Sequence, residues 1–99
     1  MTLEKTVDGD RIRLTVTGEI DTLTAPQFEG ELTSAAAGMA EVTIDLAGVA
    51  YVSSAGLRVF LNAQKAANAA KGRLILANVP EQVMKIFKLT GFAKVLTFA

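Results

Sequence analysis

A chain of 99 residues, 51% of them hydrophobic, carries enough apolar material to build one core without a disulfide or metal staple. It has no cysteine and no histidine. That excludes a disulfide framework, the usual Cys/His zinc site, a cysteine nucleophile and a Ser-His-Asp triad.

Ten basic residues balance ten acidic ones, without the basic excess of a nucleic-acid binder. The opening MTLEKTVDGD is charged and lacks a signal core, and no apolar run reaches transmembrane length. The expectation is one soluble cytoplasmic domain over 1–99, with no nucleic acid, metal, cofactor or direct membrane insertion.

In RIRLTVTG (11–18), Ile12, Leu14 and Val16 alternate with polar residues, the period of a half-buried strand. TLEKTV before it is a weaker strand, and DGD (8–10) is a tight-turn signal. The chain therefore opens on a predicted hairpin. Thr24 and Gln27 then stand at capping-box spacing, with Leu23 and Phe28 at the flanking staple positions. Phe28 and Leu32 make the buried stripe of that helix.

EVTIDLAG (41–48) alternates Val42, Ile44 and Leu46 and reads as a strand. Leu57, Phe60 and Leu61 follow at helical spacing, and Lys71-Gly72 is a stop signal. RLILANV (73–79) is a second buried strand. Asn78 and Glu81 bracket a proline as a further cap. Val83, Ile86 and Phe87 supply a helical stripe that Gly91 closes, and KVLTF is a candidate short final strand. The order β-β-α-β-α-β-α-(β) predicts an α/β fold: a mixed, mostly parallel sheet of four to five strands packed with three to four helices.

The strand-to-helix junction VSSAGLR (52–58) lies where open α/β sheets place their working residues. Ser54 is the expected N-cap, with Ser53 as the alternative one residue earlier. With Ser54 as cap, no Glu or Gln stands at the third helical position, so first-turn amides stay available to an anion. Ala55 and Gly56 leave the turn bare for another protein's approach. A phosphate on a serine there would bring about −1.5 to −2 charges to a docking surface. Taken locally, the same residues also serve plain architecture: capping by serine, and close helix–sheet packing at Ala-Gly.

The stretch VAYVSSAGLRVFLNAQKAA, together with LTGEIDTLTAPQFEGEL (14–32), VTIDLAGVAYV and LTGFAKVLTF (89–98), resembles the STAS domains of bacterial anti-sigma factor antagonists. The four segments agree in order and spacing over nearly the whole chain. The resemblance implies that Ser54, two positions before the motif glycine, is phosphorylated by a partner anti-sigma factor that is also a serine kinase. The unmodified form would hold that partner and free a sigma factor. The phosphorylated form would let go until a serine phosphatase restores it.

Many phosphorylated relatives carry Asp before the target serine. Ser53 stands there in this chain and is a second candidate acceptor. The implied partner surface is Gly18, Glu19, Asp21, Ser53, Ser54, Ala55, Gly56 and Arg58. Arg58 has the further reading of a solvated helix-face residue, and Tyr51 that of a packing residue with its hydroxyl turned outward.

Two rivals stand beside this phospho-switch. The same STAS resemblance fits a small cytoplasmic subunit of a lipid-transporting ABC complex, which needs no phosphorylation. An enzyme is disfavoured: Ser54 has no histidine base, and helical spacing does not favour a Ser-Lys pair with Lys65.

Overall fold

The DGD turn closes a hairpin because Gly9 supplies the positive φ (62°) that a side-chain residue resists. In the computed structural model, which describes residues 1–99, this hairpin joins β1 (Thr2–Asp8) to β2 (Arg11–Ile20) in antiparallel register. Next come α1 (Ala25–Ala36), β3 (Glu41–Val52), α2 (Ser54–Ala69), β4 (Arg73–Ala77) and α3 (Glu81–Leu89), followed by a 3₁₀ turn at Phe92–Lys94. The sheet order is β1-β2-β3-β4, with β2–β3 and β3–β4 parallel.

The two-residue periods of the strands decide which face is covered. Ile12, Leu14 and Val16 on β2, Val42, Ile44 and Leu46 on β3, and Leu74 and Leu76 on β4 are all buried. Their neighbours Arg13, Thr15, Thr43, Asp45 and Ile75 stay exposed or half-buried on the other face. Three helices share the covered side. Phe28 of α1 meets Phe60 of α2 at 5.2 Å between ring centroids, Phe60 meets Phe87 of α3 at 5.6 Å, and Phe87 meets Phe98 at 5.8 Å. Such tilted and edge-on contacts are the favoured geometry for aromatic rings. No helix is long and apolar enough to cross a membrane.

Strand and helix types follow the sequence pattern, but several caps do not. Thr24 makes no side-chain cap to α1. Its hydroxyl donates to the Glu19 carbonyl at 2.9 Å and accepts from the Asp21 amide. The Asp21 carboxylate instead accepts from the Leu23 and Thr24 amides, each at 2.9 Å, so the chain turns into α1 under Asp21. The Leu23–Phe28 staple does not form either: Leu23 is 88% exposed while Phe28 is fully buried.

Asn78 is not the cap of α3; Pro80 occupies that position. Asn78 takes a positive φ of 54°, which Asn tolerates better than most residues, and its side chain donates to Asp45. At the end of α2 the left-handed residue is Lys71 (φ 58°) and not Gly72. Gly91 does end α3, with φ 81°. The predicted final strand reduces to a single parallel bridge between Phe98 and Leu76. The strand predicted over 73–79 ends at Ala77, since Asn78 turns the chain away.

Candidate functional site

The site is built where β2 and β3 end side by side. The register of the pair is interrupted between Thr15 and Thr17 and again between Gly18 and Glu19. At the first interruption Asp45 holds the bulged strand: its carboxylate accepts from the Ala47 amide at 3.0 Å, from Arg13 at 2.8 Å and from Asn78 at 3.1 Å. These donors, the Ala47 amide first, keep the Asp45 carboxyl below the usual carboxylate range against the opposing effect of desolvation. At the second interruption Gly18 takes φ 101°, a region open to glycine. The bulges carry β3 to Val52, and the Ser53 amide closes the pair by donating to the Ile20 carbonyl at 2.8 Å.

Here the two serines separate. Ser53 has extended backbone, is buried, and is the N-cap of α2; its hydroxyl accepts from the Gly56 amide at 3.3 Å. Ser54 is the first helical residue and is exposed. This corrects the expected assignment of Ser54 as cap. The reason is the sheet register: with the Ser53 amide bound to Ile20, its side chain points into the first turn. The amides of Ser54 and Ala55, at the first two helical positions, have no intrahelical acceptor. The helix dipole favours negative charge at this end.

Gly56 is buried beneath the serines. A Cβ there would come within 2.7 Å of the Ile20 side chain and 3.0 Å of the Ile20 carbonyl oxygen. Its role in the structure is close packing, the architectural reading of Ala-Gly. The surface above it consists of exposed Glu19, Ser54 and Arg58 with half-buried Gly18, Asp21 and Ala55. Arg58 stands one helical turn after Ser54, at the spacing that brings side chains onto one helix face. The Asp21 carboxyl lies below its ordinary range, chiefly through the Thr24 backbone amide and with help from the Leu23 amide and the Thr24 hydroxyl.

Two neighbours were not assigned to the surface from sequence. Leu23 projects from the Asp21 turn, and Tyr51, paired in register with Glu19, is 47% exposed. A shallow recess lined by Thr22, Ala25, Pro26, Ala55 and Arg58 runs between the starts of α1 and α2. Leu23 carried a signal, an apolar residue between two threonines, but the same signal marks a staple.

A mixed four-stranded sheet with three helices packed on one face is the fold class of small STAS domains. A family model described as "Mlab, STAS domain" matches residues 3–97. The anti-sigma-B factor antagonist of Listeria monocytogenes is 33% identical over 91 residues, which cover 90% of this chain and 79% of that protein. The crystal structure of an anti-sigma factor antagonist from Mycobacterium paratuberculosis superposes with a TM-score of 0.86 at 23% identity, covering 98% of this chain and 83% of that one. The Bacillus cell fate determinant SpoIIAA in its phosphorylated form superposes with a TM-score of 0.75 at 19% identity, covering 99% of this chain and 91% of that one. The chain belongs to the STAS-domain family, among the bacterial anti-sigma factor antagonists.

Proposed function

We propose that this chain is a cytoplasmic, non-catalytic anti-sigma factor antagonist whose partner binding is switched by phosphorylation of Ser54. The observation that carries the reading is the division of labour between adjacent serines: Ser53 is buried and capping, while Ser54 is exposed at the first turn of α2. A hydroxyl already spent on a cap within the fold is a poor acceptor for an external kinase. An exposed one at a bare helix start is a good one. The names of the relatives supply the class of partner, an anti-sigma factor, here with serine kinase activity, and a serine phosphatase completes the cycle.

In this reading Glu19, Asp21, Ser54, Ala55 and Arg58 form the docking surface with Gly18 at its edge, and Ser53 and Gly56 support it from below. A phosphoryl group on Ser54 would bring about −1.5 to −2 charges. The helix dipole accepts that charge, so the domain stays folded. Arg58 is placed to meet it from the next turn. What changes is the surface, where Glu19 and Asp21 already contribute negative charge and a partner matched to the unmodified form meets repulsion and lost contact.

The test is titration of the host's anti-sigma kinase with wild type, Ser54→Ala, Ser54→Asp and Ser53→Ala, with phosphorylation followed by intact mass. Wild type and Ser54→Ala should bind, Ser54→Asp should lose binding while folded, and Ser53→Ala should still gain one phosphate. A folded Ser54→Asp protein that binds like wild type overturns the switch. Co-purification with permease and ATPase subunits, equal for both forms, favours the transporter-subunit reading instead.

A further inference from the structure

The two edges of the sheet are finished differently. At β4 the edge is closed: the Leu76 amide donates to the Thr97 carbonyl and the Leu76 carbonyl accepts from the Ala99 amide, both at 2.9 Å. At β1 the edge is open along Thr2–Asp8. The devices that usually guard an open edge are scarce here. TLEKTVD holds no proline, and its register with β2 runs without a bulge from Thr2↔Thr17 to Asp8↔Arg11. Its one lysine on the helix side, Lys5, is drawn onto α1 by Glu31 at 2.8 Å. Val7, also on that side, is 57% exposed.

Backbone geometry decides which groups this edge presents. Opposed residues of an antiparallel pair alternate between exchanging hydrogen bonds and turning their polar groups to the far side. The two-residue loop Gly9-Asp10 closes on Asp8 and Arg11, and the pair flanking such a loop is a hydrogen-bonded one. Thr6, Glu4 and Thr2 then bond to β2 in their turn. Leu3, Lys5 and Val7 are left with N–H and C=O directed outward. The other side of β2 agrees: Ile20, out of step with Arg11, turns its carbonyl to β3, where it accepts the Ser53 amide.

We propose that two copies of this chain pair antiparallel through β1, about a two-fold axis at Lys5. Leu3 then opposes the partner's Val7, Lys5 opposes the partner's Lys5, and Val7 opposes the partner's Leu3. These are the residues with outward groups, so each pair exchanges two backbone bonds. Charge selects this register over its in-phase neighbours, because like charges directly opposed are destabilising. One neighbour centres on Glu4 and sets it against the partner's Glu4. The other centres on Thr6 and sets Glu4 against Asp8 at both ends. Centred on Lys5, Glu4 meets Thr6 and Thr2 meets Asp8 on the open side, and Asp10 lies beyond the paired stretch. On the helix side the exposed Val7 gains Leu3. The two facing lysines lie between two Glu31 carboxylates, a neutral set of four. Such a two-fold pairing keeps the helices of both copies on one face and closes at two copies. Two seven-residue edges bury less than the ~1,200 Å² of standard interfaces, so the dimer is weak and forms with rising concentration.

The experiment is sedimentation equilibrium of the untagged full chain from about 10 μM to about 1 mM, the range of a weak interface. The weight-average mass should climb from one chain toward two and no further. Val7→Pro removes an outward N–H and the exposed methyls while leaving the bonds to β2, a substitution that an edge strand accepts. It should stay monomeric throughout with wild-type circular dichroism. Val7→Lys, which adds a charge beside the Lys5 pair, serves the same purpose if Val7→Pro does not fold. Thr2→Lys sets a positive charge against Asp8 at both ends and should tighten the dimer at least about twofold at low salt. A chain that stays monomeric over the whole range overturns the proposal and leaves the edge to a strand of another protein. So does an assembly that grows past two copies, one that persists in folded Val7→Pro, or one that Thr2→Lys fails to tighten.

Discussion

Gly56 on α2 and Ile20 at the end of β2 approach so closely that a Cβ on the glycine would fall 2.7 Å from the Ile20 γ2 methyl and 3.0 Å from the Ile20 carbonyl oxygen. The same carbonyl accepts the Ser53 amide. One residue of β2 therefore fixes both the end of β3 and the seat of α2, and the exposed serine rides between them.

Gly56→Ala tests this seat. Alanine gains about 1 kcal/mol of helix propensity over glycine, but overpacking typically costs about 1–3 kcal/mol. The carbonyl oxygen and the Val52 side chain, also 3.0 Å away, limit relaxation. The expected result is a net loss of about 1 kcal/mol in urea unfolding, larger for Gly56→Val. A Gly56→Ala protein more stable than wild type would show that α2 can lift off β2 at no cost.

The two serines should respond oppositely to alanine. Ser53→Ala removes a cap, which costs about 0.5–2 kcal/mol, and the 3.3 Å bond places the effect near the lower half of that range. Ser54→Ala, at an exposed position, should stay within about 0.5 kcal/mol of wild type, yet abolish phosphate incorporation. Equal destabilisation of both variants would mean that the cap is shared.

Asp45 links β2, β3 and the turn before α3. Its carboxyl is lowered in the folded state by the Ala47 amide, with Arg13 and Asn78 adding to it. A depressed folded pKa stabilises the fold above the unfolded value of about 3.9. That contribution is lost as pH falls through the folded pKa. The difference in unfolding free energy between wild type and Asp45→Asn should thus be constant from pH 5 to pH 8 and shrink below about pH 4. A difference that grows toward acid would contradict the assignment.

Leu23 is 88% exposed and tests the extent of the docking surface. Leu23→Ser should leave the melting temperature unchanged, because the side chain is almost wholly exposed, and should weaken anti-sigma factor binding at least tenfold where the partner covers the Asp21 turn. Unchanged affinity would confine the surface to the residues around Ser54.

Much of this molecule was legible in the order of its residues. The alternation at Ile12, Leu14 and Val16 and at Val42, Ile44 and Leu46 marked strands with one buried face. The spacing of Leu57 and Phe60 marked a helix, and Gly9 and Gly91 marked turns. These features are local, since a two-residue or 3.6-residue period needs no knowledge of the partner element. The caps were less legible because their hydroxyls and amides had competing partners. Thr24 turned to Glu19 and Asp21, and Asn78 to a carboxylate 33 residues away.

The chain by itself determined the class of fold and the pair of serines at the junction between β3 and α2. Which serine faces solvent was decided only when β3 paired with β2. The bulges in that pairing and the bond from the Ser53 amide to Ile20 set the phase of the strand end. A shift of one residue along a strand exchanges its inward and outward side chains. The groove between α1 and α2, lined by Ala63 and Ala67, is likewise tertiary: alanines in sequence are good helix formers, and only the placement of two helices over one sheet turns their short side chains into a cavity.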